Sequence, residues 1–320
     1  MISTKHVIEF NDMTRDDVEQ IMAAAKSFEE VNTRTIKKLP TLRGRTVVNL
    51  FLEPSTRTRT SFELAAKRMS ADGINMSGSA SATVKGESLV DTAKTLDAMD
   101  CDLVILRHKY SGSPRVLADN IKGSVINGGD GLHQHPTQAL LDLYTMRKYA
   151  GEDLSGKTVG IIGDIAHSRV AGSLVPALRM MGATPVVIAP PSLLPARPDM
   201  IGHSHGDAPG AYGAEYAHSL DEVIGDLDIA YMLRVQFERD GGSGFPSARE
   251  YAKLFGMNSA RAEKLPKHAF VMHPGPMNRG VEISSDMADS DRMLVLQQVN
   301  AGVATRMALL YVLLGGEGGE

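Results

Sequence analysis

The sequence predicts an α/β protein made of two parallel-sheet units of similar size, and three observations carry that prediction. Short apolar runs bounded by Gly, Pro and polar residues alternate with longer segments of helical period, the pattern of parallel strands joined by right-handed crossovers. That pattern restarts between Gly151 and Lys157. One phrase also occurs once in each half, as Asp100-Cys-Asp-Leu-Val-Ile-Leu-Arg107 and as Asp226-Leu-Asp-Ile-Ala-Tyr-Met-Leu-Arg234.

The first half opens with an amphipathic helix over Thr14 to Asn32. Thr14 caps it, acidic residues fill the first turn, and Val18, Ile21, Met22, Ala25, Phe28 and Val31 share a face. A polar, basic link leads to a buried strand, Arg45 to Leu50. Pro54 stops that strand, Ser55 and Thr56 are suited to cap the next helix, and Phe62, Ala65, Ala66 and Met69 form its inner face. Gly73 to Met76 reads as a short strand, and the small residues from Ser77 to Gly86 as an exposed, mobile loop. A helix over Glu87 to Met99 should turn Leu89, Ala93, Leu96 and Met99 inward. Then follow a strand (Asp102 to Arg107), a short helix (Pro114 to Ile121), a strand (Ser124 to Asn127), the glycine-rich turn Gly128 to His135, and a helix from Pro136 through Met146.

The second half gives a strand over Thr158 to Gly163, a helix over His167 to Met181 and a strand over Thr184 to Ala189. Pro190 to Gly213, rich in Pro, Gly and His, reads as surface loop. Asp228 to Leu233 is a strand, Gln236 to Pro246 a glycine-rich loop, Ser247 to Phe255 a helix and Ala269 to Met272 a strand. The last helix is expected over Asp291 to Leu314, with Met293, Leu296, Val299, Val303, Met307, Leu310 and Leu314 on its face, stopped by Gly315 and Gly316.

Composition narrows the function. In 320 residues, 42% hydrophobic and 22% charged content is that of an ordinary globular chain. A net charge of −4 argues against a general nucleic-acid binder. The one cysteine, Cys101, rules out an intrachain disulfide or a Cys-rich zinc site, and its place before an apolar run marks a buried packing thiol. The start of the chain has no signal-peptide core and no apolar run is long enough for a bilayer span, so a cytoplasmic protein without membrane association is expected.

Open parallel sheets bind ligands beyond the carboxyl ends of their strands, and here those ends carry the chemistry. Ser55-Thr56-Arg57-Thr58 opens a helix with three hydroxyls, a guanidinium and free backbone N–H groups, a combination suited to a phosphate. Arg107 ends the next strand, His135 and Gln138 follow the glycine-rich turn, and Arg169 and Arg234 take equivalent places in the second half. Four strand-end arginines point to a multiply anionic ligand set. His273 is expected to shape its turn, and Arg59 and Arg68 to be structural. His203, His205 and His218 lack an ordered ligand spacing and read as solvated. No P-loop occurs, and Gly160-Ile-Ile-Gly163 lacks the full dinucleotide fingerprint.

The segment Phe51-Leu-Glu-Pro-Ser-Thr-Arg-Thr-Arg-Thr-Ser-Phe-Glu63 resembles the carbamoyl phosphate signature of the aspartate/ornithine carbamoyltransferase family. His135-Pro-Thr-Gln138, Lys85-Gly-Glu-Ser88, His167-Ser-Arg169, Arg234-Val-Gln236 and His273-Pro-Gly-Pro276 resemble further motifs of that family, so the resemblance spans the chain. The last three fit its aspartate-using branch; the ornithine branch carries a cysteine in a related H-C-L-P, and none stands here. The resemblance implies that the long C-terminal helix packs back on the first unit, giving domains 1–150 with 291–316, and 151–290, with the active site in the cleft between them.

It also implies the roles. Ser55, Thr56, Arg57 and Thr58 would hold the phosphate of carbamoyl phosphate. Arg107, His135 and Thr58 would donate to the carbamoyl oxygen, and Gln138 with the Pro274 and Gly275 carbonyls, in the turn closed by Pro276, would hold its NH₂. Arg169, Arg234 and Gln236 would clamp the two carboxylates of aspartate. Ser81 and Lys85 would come from a neighbouring subunit of a homotrimer. No metal, organic cofactor or covalent intermediate is expected, and a regulatory chain or a dihydroorotase-like partner is left open. The competing readings are a transferase acting on ornithine or another amine, a nucleotide-linked dehydrogenase, and a non-catalytic anion-binding subunit. The two carboxylate-binding arginines, the missing fingerprint and the intact set Arg57, Arg107, His135 and Gln138 count against each in turn.

Overall fold

The computed structural model describes residues 2–77, 87–195, 213–235 and 247–315, and within them the backbone forms two parallel sheets. The chain divides into Met1–Tyr144 with Val299–Glu320, and Thr145–Gln298. The dividing points fall inside two helices, whereas the pattern of the sequence breaks only at the loop a few residues beyond Tyr144.

In the first unit, α1 (Arg15–Val31) begins as expected. Thr14 Oγ1 accepts the Asp17 N–H at 3.2 Å and the Asp17 carboxylate accepts the Thr14 N–H at 2.8 Å, a capping box that satisfies two otherwise unpaired donors. Then come β1 (Thr46–Phe51), α2 (Thr56–Arg68), β2 (Asp72–Ser77), α3 (Leu89–Ala98), β3 (Leu103–His108), α4 (Ser113–Ala118), β4 (Ser124–Asp130) and α5 (Pro136–Ala150). The sheet order is β2-β1-β3-β4, all parallel. Val48, Leu50, Val104, Leu106 and Val125 join Ala93, Leu96 and Leu117 from the helices in one core cluster. Cys101 belongs to it, and burial, aided by Asp102, Asp100 and Asp97, pushes its thiol pKa up. Met99 departs from expectation: it is 66% exposed, not turned inward. The helix ends at Ala98, and the reversal into β3 places Asp100 at φ 53°, so Met99 leaves the buried face.

The second unit holds β5 (Thr158–Ile162), α6 (Arg169–Met180), β6 (Thr184–Ile188), β7 (Glu215–Ala217), α7 (Leu220–Val223), β8 (Ile229–Met232), α8 (Ala248–Phe255), α9 (Ser259–Lys264), β9 (Phe270–Met272) and α10 (Ser285–Ala288). Its sheet order is β7-β6-β5-β8-β9, again all parallel. The short strand β7 and helix α9 have no counterpart in the sequence-based expectation. The final helix α11 (Val295–Leu314) starts four residues later than predicted. Residues 291–294 run alongside β9 instead: the Val271 N–H donates to Arg292 O, and the Leu294 N–H to Val271 O, both at 2.9 Å. Leu296 (76%) and Val299 (51%), in the helix's first turns, are exposed against expectation, while Met307, Leu310 and Leu314 farther along the same stripe are buried as expected. From Val299 onward α11 belongs to the first unit, so it packs back on that unit as the resemblance implies.

The repeated phrase has a shared structural job. Asp102 precedes β3 and its carboxylate accepts the Thr46 N–H at 2.8 Å and pairs with Arg45 at 2.8 Å. Asp228 precedes β8 and accepts the Thr158 N–H at 2.8 Å while pairing with Lys157 at 3.2 Å. In each unit an aspartate thus ties together the amino ends of the two central strands, and the arginine of the same phrase lies at or just past the carboxyl end.

Candidate functional site

Each sheet has one switch point. In the first unit the chain leaves β1 for β2 on one side and leaves β3 for β4 on the other; in the second unit β5 and β8 part in the same way. Loops diverge at such a place and leave a crevice at the strands' carboxyl ends. Of the four strand-end arginines, Arg57 and Arg107 stand at the first switch point, and Arg169 and Arg234 at the second.

At the first, the chain turns after Phe51 and enters α2 with Ser55 as N-cap residue in extended conformation. The Ser55 hydroxyl makes no capping bond, contrary to the role expected of it. The helix opens with an exposed Arg57 and a buried Thr58, and the first-turn N–H groups of a helix have no acceptor within the helix itself. Arg107 pairs across the strand from Phe51. Its Nη1 donates to Gly128 O at 3.0 Å and its Nη2 lies 3.6 Å from Glu53 Oε1, so the guanidinium is held between the ends of β1 and β4.

His135 is placed by the turn after β4, and that turn is organised around Asp130. This fully buried carboxylate accepts from Asn127 Nδ2 (2.7 Å), the Gln134 N–H (3.1 Å) and the Gly112 N–H (2.7 Å), and lies 3.1 Å from His133 Nδ1. Burial, the largest single influence, pushes the Asp130 pKa up. The bonds from His133, Asn127 and Gly112, with the charge of His133, outweigh it and hold the pKa below its ordinary value. Gly131 sits in the same turn at φ 48°, and a Cβ there would come within 2.5 Å of Ser111 Oγ, so only glycine fits. His135 emerges buried, its Nδ1 3.4 Å from Thr137 Oγ1, and its carbonyl accepts the Gln138 N–H at 2.9 Å in the first turn of α5. Gln138 Nε2 donates to Asp142 Oδ1 at 3.0 Å, one helical turn on.

In the second unit, β5 runs into Asp164, whose buried Oδ1 accepts the His167 N–H at 3.2 Å and faces His167 Nδ1 at 2.8 Å. Ser168 caps α6 by accepting the Ala171 N–H at 3.2 Å, and Arg169 is that helix's buried first residue. Arg234 stands two residues beyond β8, half-buried. The Val235 carbonyl accepts Asn278 Nδ2 at 3.1 Å, tying that strand end to the loop after β9. In this loop His273 is fully buried: its N–H donates to Gln298 Oε1 (3.0 Å), its Nδ1 accepts the Gly275 N–H (2.7 Å), and its Nε2 lies 3.3 Å from Glu282 Oε1. It shapes the Pro274-Gly275-Pro276 turn, in which Gly275 takes φ 65°.

Ser81, Lys85 and Gln236, together with His203, His205 and the 237–246 loop, lie outside the described residues. His218 packs against Tyr216 with ring centroids 5.1 Å apart. Among the described residues no group of three or more His, Cys, Asp or Glu side chains could hold a metal ion, and no helix is long and apolar enough to cross a membrane. The supporting residues Glu53, Asp130, Asp142 and Glu282 were not singled out from the sequence. Asp142 alone left a signal there, as a charge breaking the apolar run Ala139-Leu-Leu-Asp-Leu143.

Residues 5–148 match the family model for the aspartate/ornithine carbamoyltransferase carbamoyl-P binding domain, and residues 155–313 that for the Asp/Orn binding domain. The chain is 52% identical over 314 residues to the aspartate carbamoyltransferase catalytic subunit of Frankia casuarinae, covering 98% of this chain and 95% of the relative. It is 53% identical over 312 residues to that of Thermobifida fusca, covering 98% and 96%. Among solved structures, aspartate transcarbamoylase from Trypanosoma cruzi in complex with N-(phosphonacetyl)-L-aspartic acid superposes with a TM-score of 0.84 at 29% identity, covering 97% of this chain and 95% of that one.

Proposed function

The chain belongs to the aspartate/ornithine carbamoyltransferase family, and on that premise we propose that it transfers the carbamoyl group of carbamoyl phosphate to the amine of L-aspartate. The products are N-carbamoyl-L-aspartate and phosphate, the reaction that commits aspartate to pyrimidine synthesis. The observation that carries the reading is the placing of two arginines at the switch point of each sheet, with a hydroxyl-rich helix start at the first.

The phosphate is met by Ser55, Thr56, Arg57 and Thr58, where backbone N–H groups and the helix dipole favour negative charge. Arg107, His135 and Thr58 donate to the carbamoyl oxygen. When the aspartate nitrogen attacks the carbonyl carbon, charge moves onto that oxygen, and donors already fixed in place stabilise it there. The carbon–oxygen bond to phosphate then breaks, the phosphate leaves with the bonding pair, and it takes up the proton that the nitrogen gives up. Arg57 meets the charge gathering on the leaving phosphate. Gln138 and the Pro274 and Gly275 carbonyls hold the carbamoyl NH₂ and fix the plane of the electrophile. Arg169, Arg234 and Gln236 take the aspartate carboxylates, so much of the rate enhancement comes from orientation.

Aspartate is favoured over ornithine because two arginines suit a dicarboxylate and repel a second ammonium. We further propose a cytoplasmic homotrimer in which Ser81 and Lys85 of one copy complete the site of the next. The test is one assay of carbamoyl phosphate with aspartate and then with ornithine. Carbamoyl-aspartate formation with little ornithine turnover is expected. Robust ornithine turnover would move the chain to the family's other branch, and no turnover with either amine would remove the reading.

A further inference from the structure

The proposed site uses one face of α5, and the residues behind that face are charged and buried. Gln138 and Asp142 stand one turn apart on it, 8% and 0% exposed. An ionised carboxylate accepts hydrogen bonds and cannot donate them. The contact from Gln138 Nε2 to Asp142 Oδ1, 3.0 Å long, therefore turns the NH₂ end of the amide toward the aspartate and leaves its carbonyl oxygen at the other end.

Behind Asp142 stands Arg306 of α11, near enough for the charge of Asp142 to act on it. Arg306 is 4% exposed, its Nη1 donates to Ser61 Oγ at 2.8 Å and to Gly302 O at 3.3 Å, and its guanidinium lies 5.0 Å from the Phe62 ring centroid. Burial pulls its pKa down to about 10, and the charge of Asp142 works in the opposite direction. Ser61 lies one turn beyond Thr58 on α2. Arg306 thus backs both helices whose first turns carry the proposed carbamoyl phosphate contacts.

We propose that Asp142 is a positioning residue that fixes which end of the Gln138 amide meets the substrate, and so selects carbamoyl phosphate over acyl phosphates. A carbamoyl group offers an NH₂ to the Gln138 carbonyl oxygen. An acetyl group offers a methyl, which leaves that buried acceptor unpaired. This inference rests on the function proposed above and adds a source of substrate discrimination that involves no contact between Asp142 and substrate.

The experiment compares carbamoyl phosphate and acetyl phosphate on the assembled, full-length protein. The readout is the ratio of the acetyl phosphate inhibition constant to the carbamoyl phosphate KM, with inhibition by inorganic phosphate as reference. Wild type should favour carbamoyl phosphate by roughly tenfold or more. In Asp142→Asn the new amide can donate to Gln138 Oε1, letting the side chain flip, so the ratio should fall toward one while phosphate inhibition changes less than about threefold. Asp142→Glu, which keeps an acceptor-only group, should retain most of the preference. A uniformly loosened fold would weaken all three ligands together and leave the ratio unmoved. Should Asp142→Asn fail to fold with Arg306 uncompensated, the double variant Asp142→Asn/Arg306→Met removes both charges and is read by the same ratio. A folded variant with the wild-type ratio overturns the inference. Absence of carbamoyl transfer in wild type instead overturns the functional reading, so the two failures are distinct.

Discussion

Replacing Asp130 by alanine tests how the turn carrying His135 is held. The carboxylate is fully buried and has four partners between 2.7 and 3.1 Å: Asn127 Nδ2, the backbone N–H groups of Gly112 and Gln134, and His133 Nδ1. Its removal leaves the Gly112 and Gln134 N–H groups without this acceptor, while Asn127 Nδ2 keeps the Ile8 carbonyl at 2.9 Å, and each unsatisfied donor costs about 1–3 kcal/mol. Relaxation and entering water return part of that, so the net loss should be roughly 3–5 kcal/mol, the range for breaking a buried charged network. With a denaturant dependence near 3 kcal/mol/M, the urea midpoint should fall by about 1–2 M. Arg279→Ala, which removes an exposed pair with Asp289, serves as control and should leave the midpoint in place. Below the transition, the folded variant should lose kcat more than affinity for phosphate, because His135 follows the turn whereas the start of α2 does not. A midpoint within 0.3 M of wild type, an order-of-magnitude threshold under the same denaturant dependence, refutes the anchoring role. A destabilised variant with full kcat refutes the link from the turn to His135.

Four further outcomes are expected. Arg57→Ala should keep its fold and lose roughly 30- to 150-fold in kcat/KM, from about 2–3 kcal/mol of charge-assisted phosphate binding; near-normal turnover would sink the assignment. Arg234→Ala should raise the aspartate KM steeply while leaving phosphonoacetate inhibition mostly intact, and succinate should compete with aspartate in the wild type; succinate without effect would count against the carboxylate clamp. Lys85→Ala and Arg57→Ala chains, each nearly inactive alone, should regain activity when co-assembled, and verified mixed trimers that stay inactive would exclude a shared site. The Asp130 hydrogen bond, together with the Asp130 and Glu9 charges, raises the His133 pKa against the opposing effect of burial. The stability this pair adds is therefore full below about pH 6.5 and is lost as pH rises through the folded value, whereas the share from the lowered Asp130 pKa is kept above about pH 3.9 and lost on acidification. His133→Ala should flatten the alkaline limb of a plot of urea midpoint against pH, and an unchanged limb would assign it elsewhere.

The strand ends could be read from the sequence because their signals are local. An apolar run closing on an arginine, a Pro before a hydroxyl-rich helix start, and the Thr14 cap each need only neighbours along the chain. What stayed hidden depends on partners brought from far away. Asp130 looks like one polar residue in a glycine-rich turn until Asn127, Gly112 and Gln134 converge on it. Arg306 looks like a surface cation on an apolar helix until Ser61, 245 residues away, receives its hydrogen bond. Periodicity also failed where an element shared its residues with another, as where residues 291–294 pair with β9 before α11 starts. The three-residue edge strand β7 was too short to carry a period at all.

The repeated phrase explains why the site's cations are legible while their supports are not. In both halves the aspartate is spent on the frame: Asp102 and Asp228 each close the amino end of a central strand pair by taking a backbone N–H and a neighbouring cation. The arginine at the other end of the same phrase is left to face the switch point. Parallel strands buried on both sides are mostly apolar along their length, with the uncharged Asn49 and Asn127 as buried exceptions here, so charge collects at the two ends, and the two ends do different work. The amino-end charge is matched within the sheet, by the cation just before the neighbouring strand, Arg45 or Lys157. The carboxyl-end charge is matched partly from outside it, as when Glu53 and the Gly128 carbonyl hold Arg107. Those supports come from whichever loops reach the strand end, so they follow no spacing. A site of this design exposes its ligand-facing residues to sequence reading and conceals the residues that aim them.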